Sequence, residues 1–188
     1  MKSFNTLGIS PAGVPVAADD LLEFHAARLL LLFNLCGKTP RNTGLPRIDG
    51  LTKMAKLDFF VRYPQFFNTA CRALGLPSES ATQTVESSMI RFHYGPWDDR
   101  YYHILAYLEG KRLLSVTKDN QAFTLSLTED GKRLADRLAE DEVFAPLVEQ
   151  MRRVKTALGD KPGSTLKKLI YQIFEKEVAQ RSLRETIE

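Results

Sequence analysis

A chain of 188 residues, 44% of them apolar, suits one domain or two closely fused small ones, and it holds enough apolar material for an ordinary core without staples. Net charge is +3, too small to mark a nucleic-acid binder, and it is unevenly spread: residues 1–75 carry nine basic and five acidic side chains, 76–140 eight and ten, and 141–188 nine and eight. The start, MKSFNTLGISPAGVPVAADD, lacks a basic region followed by an apolar run, and the longest apolar run, Leu29 to Phe33, is far too short to span a bilayer, so a cytoplasmic location is expected.

Residues 1–19, rich in Gly, Pro, Ser and Ala without a period, read as a flexible N-terminal arm. Asp19 or Asp20 stands where it can cap the helix that follows. From Leu21 to Cys36, Leu22, Ala26, Leu29, Phe33 and Cys36 recur at helical spacing, and Leu30, Leu32 and Leu35 widen the stripe until it nearly encircles the helix, which predicts a central one. Gly37 ends it, and KTPRNTGLPR reads as a loop carrying Lys38, Arg41 and Arg47.

Leu51 to Leu74 is apolar at helical intervals but interrupted by Pro64, which lacks an amide hydrogen and disfavours a helical Tyr63. The reading is two helices meeting at a bend, with Pro64 in the first turn of the second, a place for a helix-turn-helix element. LPSESATQT is a polar linker. Met89 to Tyr94 alternate as a short strand, Gly95-Pro96 is expected to turn the chain, and Asp98 or Asp99 to open a helix reaching about Glu109 with Tyr102, Leu105 and Leu108 on one side.

A hairpin follows, Leu113 to Thr117 and Ala122 to Leu127 joined by Lys118-Asp119-Asn120-Gln121, with Phe123, Leu125 and Leu127 on one face and Thr124 and Ser126 facing water. Thr128 caps the next helix, which has Glu129 and Asp130 in its first turn and Leu134 and Leu138 on its inner face. Helix, hairpin, helix is the order of a winged helix. Phe144, Leu147, Val148, Met151 and Val154 mark another helix ending near Gly159, and after Pro162-Gly163 a last one, capped by Ser164, turns Leu166, Leu169, Ile170, Ile173 and Phe174 inward and Lys167 and Lys168 outward. The expected fold is mainly α with a small β-hairpin wing, a winged helix-turn-helix with extra N- and C-terminal helices. It divides into the arm, a helical plus winged-helix domain over 20–140 and a C-terminal helical extension over 141–188.

A winged helix ordinarily reads DNA with the helix before the wing, and here that helix begins Asp98-Asp99-Arg100-Tyr101-Tyr102-His103. Two carboxylates at that place oppose the counterion release that drives most non-specific affinity, so a protein-docking or structural role is favoured over sequence reading. Lys111, Arg112 and Lys118 around the wing are possible backbone contacts, as are Lys38, Arg41, Arg47, Lys53 and Lys56 in the most positive part of the chain, although such clusters are ordinarily solvated faces. The aromatic cluster of Tyr94, Trp97, Tyr101 and Tyr102 is commonly core, yet residues of this kind dominate interface energetics, which makes Tyr94, Trp97, Asp98, Arg100 and Tyr101 candidates for partner binding.

No catalytic, metal or cofactor set stands out. Cys36 and Cys71 lie in apolar stretches, without zinc-site pairing, dense disulfide spacing or a His partner, and read as buried thiols in a reducing compartment. His25, His93 and His103 are dispersed, and capping accounts for the adjacent Asp98 and Asp99.

The run Ile48-Asp49-Gly50-Leu51-Thr52-Lys53-Met54-Ala55-Lys56-Leu57-Asp58-Phe59-Phe60-Val61-Arg62-Tyr63-Pro64, followed by Val85-Glu86-Ser87-Ser88-Met89-Ile90-Arg91-Phe92-His93-Tyr94-Gly95-Pro96-Trp97-Asp98, resembles the middle component of bacterial ABC three-component systems, a family that includes the small subunit of Lamassu-type defence operons. The resemblance continues through Arg100-Tyr101-Tyr102, Leu127-Thr128-Glu129-Asp130-Gly131 and Gly163-Ser164-Thr165-Leu166-Lys167. It implies a non-enzymatic accessory subunit, without cofactors, that docks on the heads of an SMC/Rad50-like ABC ATPase, on an effector nuclease, or on both. Such a subunit holds the effector quiet and takes part in its release when phage or plasmid DNA is sensed. The rival reading is a free-standing winged-helix transcriptional regulator that binds an operator.

Overall fold

A computed structural model describes residues 21–78, 89–92, 95–120, 122–174 and 186–187; the N-terminal arm, with Asp19 and Asp20, and most of the polar linker lie outside them. The apolar run becomes α1 (Leu22–Cys36), in which Leu29 to Phe33 are sealed on every side. Such a helix can only be central, and the later helices Leu51–Arg62, Tyr101–Gly110, Glu129–Glu140 and Ala145–Leu158 and the strands Arg47–Asp49 and Ala122–Leu127 pack around it. Leu21 holds its N-cap position, with no side-chain cap.

Gly37 ends α1 by close approach rather than by a left-handed turn. Its amide donates to the Phe33 carbonyl at 3.1 Å, and a Cβ there would meet that oxygen at 2.3 Å. The chain thus doubles back, Lys38 pairs with Arg47, and part of the expected loop forms a strand, β1 (Arg47–Asp49). Only Ile48 of β1 is buried, too short a signal to show as alternation.

α2 (Leu51–Arg62) and α3 (Pro64–Ala73) meet at Tyr63, with Pro64 at the start of α3 as its missing amide hydrogen requires. The next strand, β2 (Met89–Phe92), pairs antiparallel with β3 (Gly95–Trp97), Phe92 opposite Gly95 and Ile90 opposite Trp97. Gly95-Pro96, expected as a turn, is therefore strand. A proline is tolerated there because β3 is the edge of a sheet ordered β3-β2-β6, with β6 at Thr186–Ile187.

The helix before the hairpin is α4 (Tyr101–Gly110), with Tyr101, Ile104, Leu105 and Leu108 buried and Tyr102, grouped with Leu105 and Leu108 by spacing, 61% exposed. The hairpin consists of β4 (Leu114–Asp119) and β5 (Ala122–Leu127), and its turn is tighter than the expected four residues: Asp119 pairs with Ala122, and Asn120 adopts φ +52°. β1 lies along the other edge of β5, Ile48 opposite Leu125, giving a small antiparallel sheet ordered β1-β5-β4.

Thr128 caps α5 (Glu129–Glu140) as expected, its hydroxyl accepting from the Gly131 amide at 3.0 Å. The inner face of α5 is made by Gly131 and Ala135, with Leu134 and Leu138 half-buried beside them. A single 3-10 turn (Glu142–Phe144) leads to α6 (Ala145–Leu158), and α7 (Gly163–Ile173) begins after Pro162, so Ser164 lies inside α7 rather than capping it.

The described residues are mainly helical, with this small three-stranded antiparallel sheet beside the helices. One continuous apolar core runs from Ala26 in α1 to Phe174, and α6 and α7 belong to it through Val148, Met151, Val154, Leu158, Leu166 and Ile170. The stretch read as a C-terminal extension thus covers α1 and α2 directly. Among the described residues no helix is long and apolar enough to cross a membrane.

Two glycines separate close packing from open space. A Cβ on Gly131 would stand 1.8 Å from the Leu113 carbonyl oxygen, whereas at Gly110 nothing lies within 4 Å. Gly131→Ala is expected to cost about 3 kcal/mol or more, and Gly110→Ala to be neutral or stabilising by under about 1 kcal/mol, as read from urea denaturation midpoints.

Candidate functional site

The residues around α4 are set by charges inside the protein. α1 contributes His25 and Arg28 on one face, three residues apart, and α2 contributes Asp58 and Arg62, four apart. Arg28 donates from Nε to Asp58 Oδ1 at 3.0 Å and from its second terminal nitrogen to Oδ2 at 3.2 Å, with both side chains wholly buried. The Tyr101 hydroxyl donates to the same Oδ2 at 2.6 Å, so α4 is pinned by its first residue. Arg62 lies 3.7 Å from Asp58 and donates to Asp98 Oδ2 at 2.9 Å.

Asp98 in turn receives Arg100, whose Nε reaches Oδ1 at 2.9 Å and whose terminal nitrogen reaches Oδ2 at 2.8 Å. His25 sits between the two arginines, Nδ1 at 2.9 Å from Arg28 and Nε2 at 2.7 Å from Arg100. Burial pushes the Asp98 carboxyl up, but the hydrogen bonds from Arg100 and the charge of Arg62 outweigh it and hold Asp98 well below the usual carboxylate range. Tyr101 moves the other way, raised by burial and then by Asp58.

This arrangement corrects several expectations. Trp97, Asp98 and Tyr101 are interior, and the Trp97 ring meets Tyr101 edge-on at 5.1 Å and Tyr102 at 5.7 Å. They are buried and hold α4 in place, the core role that such aromatics ordinarily have. Tyr94 lies outside the described residues. Asp98 is no helix cap, since Arg100 occupies that position, and its carboxylate is turned in toward Arg62; of the two acids at the helix start, Asp99 alone is exposed. The cation of that segment is drawn in as well, because Arg100 is committed to Asp98 and His25. α4 itself, YYHILAYLEG, carries no Lys or Arg, and its outer face shows Tyr102, His103, Ala106 and Glu109. Of Trp97, Tyr101 and Tyr102, the described members of the cluster, Tyr102 is the one that reaches solvent.

The basic residues separate into three kinds. Lys38, Arg47 and Lys53 line a pocket of about 300 Å³ together with Asp49, Asp160 and Gly163, and Arg41 is exposed in the loop between Lys38 and Arg47. Lys111, Arg112 and Lys118 are exposed at the base and tip of the hairpin, with Lys111 5.5 Å above the Tyr107 ring and Lys118 5.3 Å above that of Phe123. Lys56 is no surface cation at all. It is 1% exposed, its Nζ donates to the Pro96 carbonyl at 3.0 Å, and burial followed by repulsion from Lys167 lowers its pKa to about 7. Helical spacing places Lys56 two residues after buried Met54 and two before Asp58, on a helix whose far side is covered by β3 and α7.

Both cysteines are buried and unpaired, as expected. Cys36 Sγ donates to the Met151 carbonyl at 3.3 Å, and burial pushes its thiol up to about 12. Among the described residues, no three His, Cys, Asp or Glu side chains converge as a metal site would need. Compared with family models, with curated proteins and with solved structures, the chain matches none.

Two pH experiments follow. A carboxylate with a depressed folded pKa contributes stability that is complete above its unfolded value, about 3.9, and is lost as pH falls below it. Asp98→Asn is therefore expected to cost about 3–5 kcal/mol at neutral pH and to flatten the acid limb of stability against pH, measured by chemical denaturation. Lys56 has the opposite slope: from about 7 up to its ordinary 10.5 the unfolded chain holds a proton that the folded one has released, so stability rises with pH across that interval. Lys56→Met removes that rise, which the difference between variant and parent denaturation curves will show.

Proposed function

We propose that this chain is a non-enzymatic accessory subunit of an SMC/Rad50-like ATPase defence complex. It docks on the ATPase heads, the effector nuclease or both, and helps control effector release when foreign DNA is sensed. A winged-helix reading fits this role: a helix, α4, precedes the β4–β5 hairpin, β1 lies along β5 in a small antiparallel sheet ordered β1-β5-β4, and α3, β2 and β3 stand between α2 and α4 as additions to that plan. The resemblance of Ile48–Pro64 and Val85–Asp98 to the middle component of ABC three-component systems supplies the partners.

One observation carries the choice of protein over DNA. The helix before the wing has no Lys or Arg along its length, Arg100 at its start is bound to Asp98 and His25, and its outer face carries Tyr102, 61% accessible, beside His103, Ala106 and Glu109. A helix meeting phosphates needs cations at that place, while an exposed tyrosine is what protein interfaces enrich. The wing cations Lys111, Arg112 and Lys118 add a weak, sequence-blind attraction to DNA without changing that assignment.

Co-expression with a large coiled-coil ATPase and affinity purification tests the reading, with a stable complex as the expected result. Tyr102→Ala, at an exposed position where substitutions ordinarily stay within about 0.5 kcal/mol of stability, should leave the melting temperature unchanged and weaken the complex by about thirtyfold, a hot-spot loss of about 2 kcal/mol. A chain that elutes alone, and that protects a specific operator in footprinting, would make it a transcriptional regulator instead.

A further inference from the structure

We propose that the pocket between β1, the start of α2 and the turn joining α6 to α7 binds a phosphate group, carried either on a nucleic-acid strand or on a free nucleotide. Two glycines let main chains close in beside the pocket. A Cβ on Gly37 would meet Arg47 backbone atoms at 3.1 Å, and one on Gly163 would lie 3.0 Å from the Lys53 amide nitrogen. Those approaches bring the end of α1 against β1 and the start of α7 against the start of α2.

The charges gathered there do not cancel. Lys38 and Arg47 share Asp49, Arg47 Nε lying 3.2 Å from its Oδ1. Two further ammonium groups are held by main-chain carbonyls: Lys53 Nζ donates to Gly159 O at 2.7 Å and Lys155 Nζ to Gly37 O at 3.0 Å. Lys155 also has Asp160 at 3.5 Å, but that carboxylate is 99% exposed and well hydrated. Three cations, Lys38, Arg47 and Lys53, therefore line the pocket with two carboxylates, and Lys155 stands beside it. An ammonium carries three donors and a carbonyl takes one, so Lys53 holds charge and donors in reserve.

Burial and the charge of Lys155 lower the Lys53 pKa, so an entering anion relieves a repulsion already built in. The backbone adds to this. α2 and α7 both start at the pocket with neither a side-chain cap nor an acidic residue in the first turn, so the positive ends of both helices are uncompensated. The volume, about 300 Å³, is at the bottom of the range for small-molecule sites, about 300–1,000 Å³, and suits a phosphate with one small substituent.

Phosphorus NMR or calorimetric titration of the full chain with inorganic phosphate, pyrophosphate and a short DNA duplex, each against chloride at matched ionic strength, tests the assignment. Lys38→Gln and Arg47→Gln, at partly exposed side chains, should each weaken binding by about tenfold, and Lys118→Gln at the hairpin tip should not. Asp49→Asn, which removes the competing carboxylate, should tighten binding, so the assignment stays testable even if a cation variant folds poorly. Saturable binding of phosphate or pyrophosphate assigns the site to a free nucleotide, and duplex binding alone, with the same ranking of variants, assigns it to a strand. Absence of binding in all three titrations, or binding indifferent to Lys38, Arg47 and Asp49, would overturn the proposal. None of these outcomes bears on capture of the ATPase, which uses α4.

Discussion

Asp58 is the point on which the described fold turns. It sits with no solvent exposure among the faces of α1, α2 and α4, and each of those helices sends it a donor or supplies its backbone. A carboxylate in such surroundings is tolerated only when its oxygens are filled, and here Arg28 fills both while the Tyr101 hydroxyl fills the second again. Arg62 carries the network outward to Asp98 and Arg100, and His25 closes it back to α1. Replacing the whole set with well-packed apolar residues could match its stability, but a single missing member would leave a charge buried without its counterpart. What the network adds over greasy packing is orientation, since hydrogen bonds fix the rotation of α4 about its own axis where apolar contact would allow several. That rotation decides which side chains face outward.

The outer face of α4 is therefore a by-product of the interior. Because Tyr101 is drawn toward Asp58 and Trp97 packs edge-on against it, the next residue along the helix, Tyr102, has to point away. The two charged residues that might have greeted a phosphate backbone, Asp98 and Arg100, satisfy each other on the inner side. Among the described residues, cations reach the surface elsewhere, at the pocket beside β1 and along the hairpin among other places. Two separate surfaces result, one aromatic and one cationic.

Much of this could be read from the residues because the helices obey their period. The all-round apolar stretch of α1, the proline-marked bend at Tyr63, the Thr128 cap and the β4–β5 pair all announce themselves locally. What could not be read has a common cause. β1 is three residues with one inward side chain, and it becomes a strand only when β5, far along the chain, lies beside it. Gly95-Pro96 has the composition of a turn, and pairing with β2, the strand just before it, overrides that composition at a sheet edge where a proline is tolerated. The buried network did leave a trace: Arg28 inside an otherwise apolar helical stripe, and Asp58 and Arg62 inside LDFFVR, are charges where a core face should be. Such charges ask for partners, and the sequence alone does not say that Asp98 is among them. The same logic misassigned Lys56, whose helical position, read without its neighbours, looks like solvent.

The two cysteines give the molecule a chemically silent background. Cys36 is shielded by α6 and holds its proton to about pH 12, and Cys71 is likewise beneath the surface with its thiol raised by burial. Alkylating reagents act on thiolates they can reach, so in the folded chain neither sulfur should take a label at neutral pH. A single engineered thiol on the outer face of α4 would then report by itself, through a fluorophore or a cross-linker, on whatever comes to rest there, with no native sulfur needing removal.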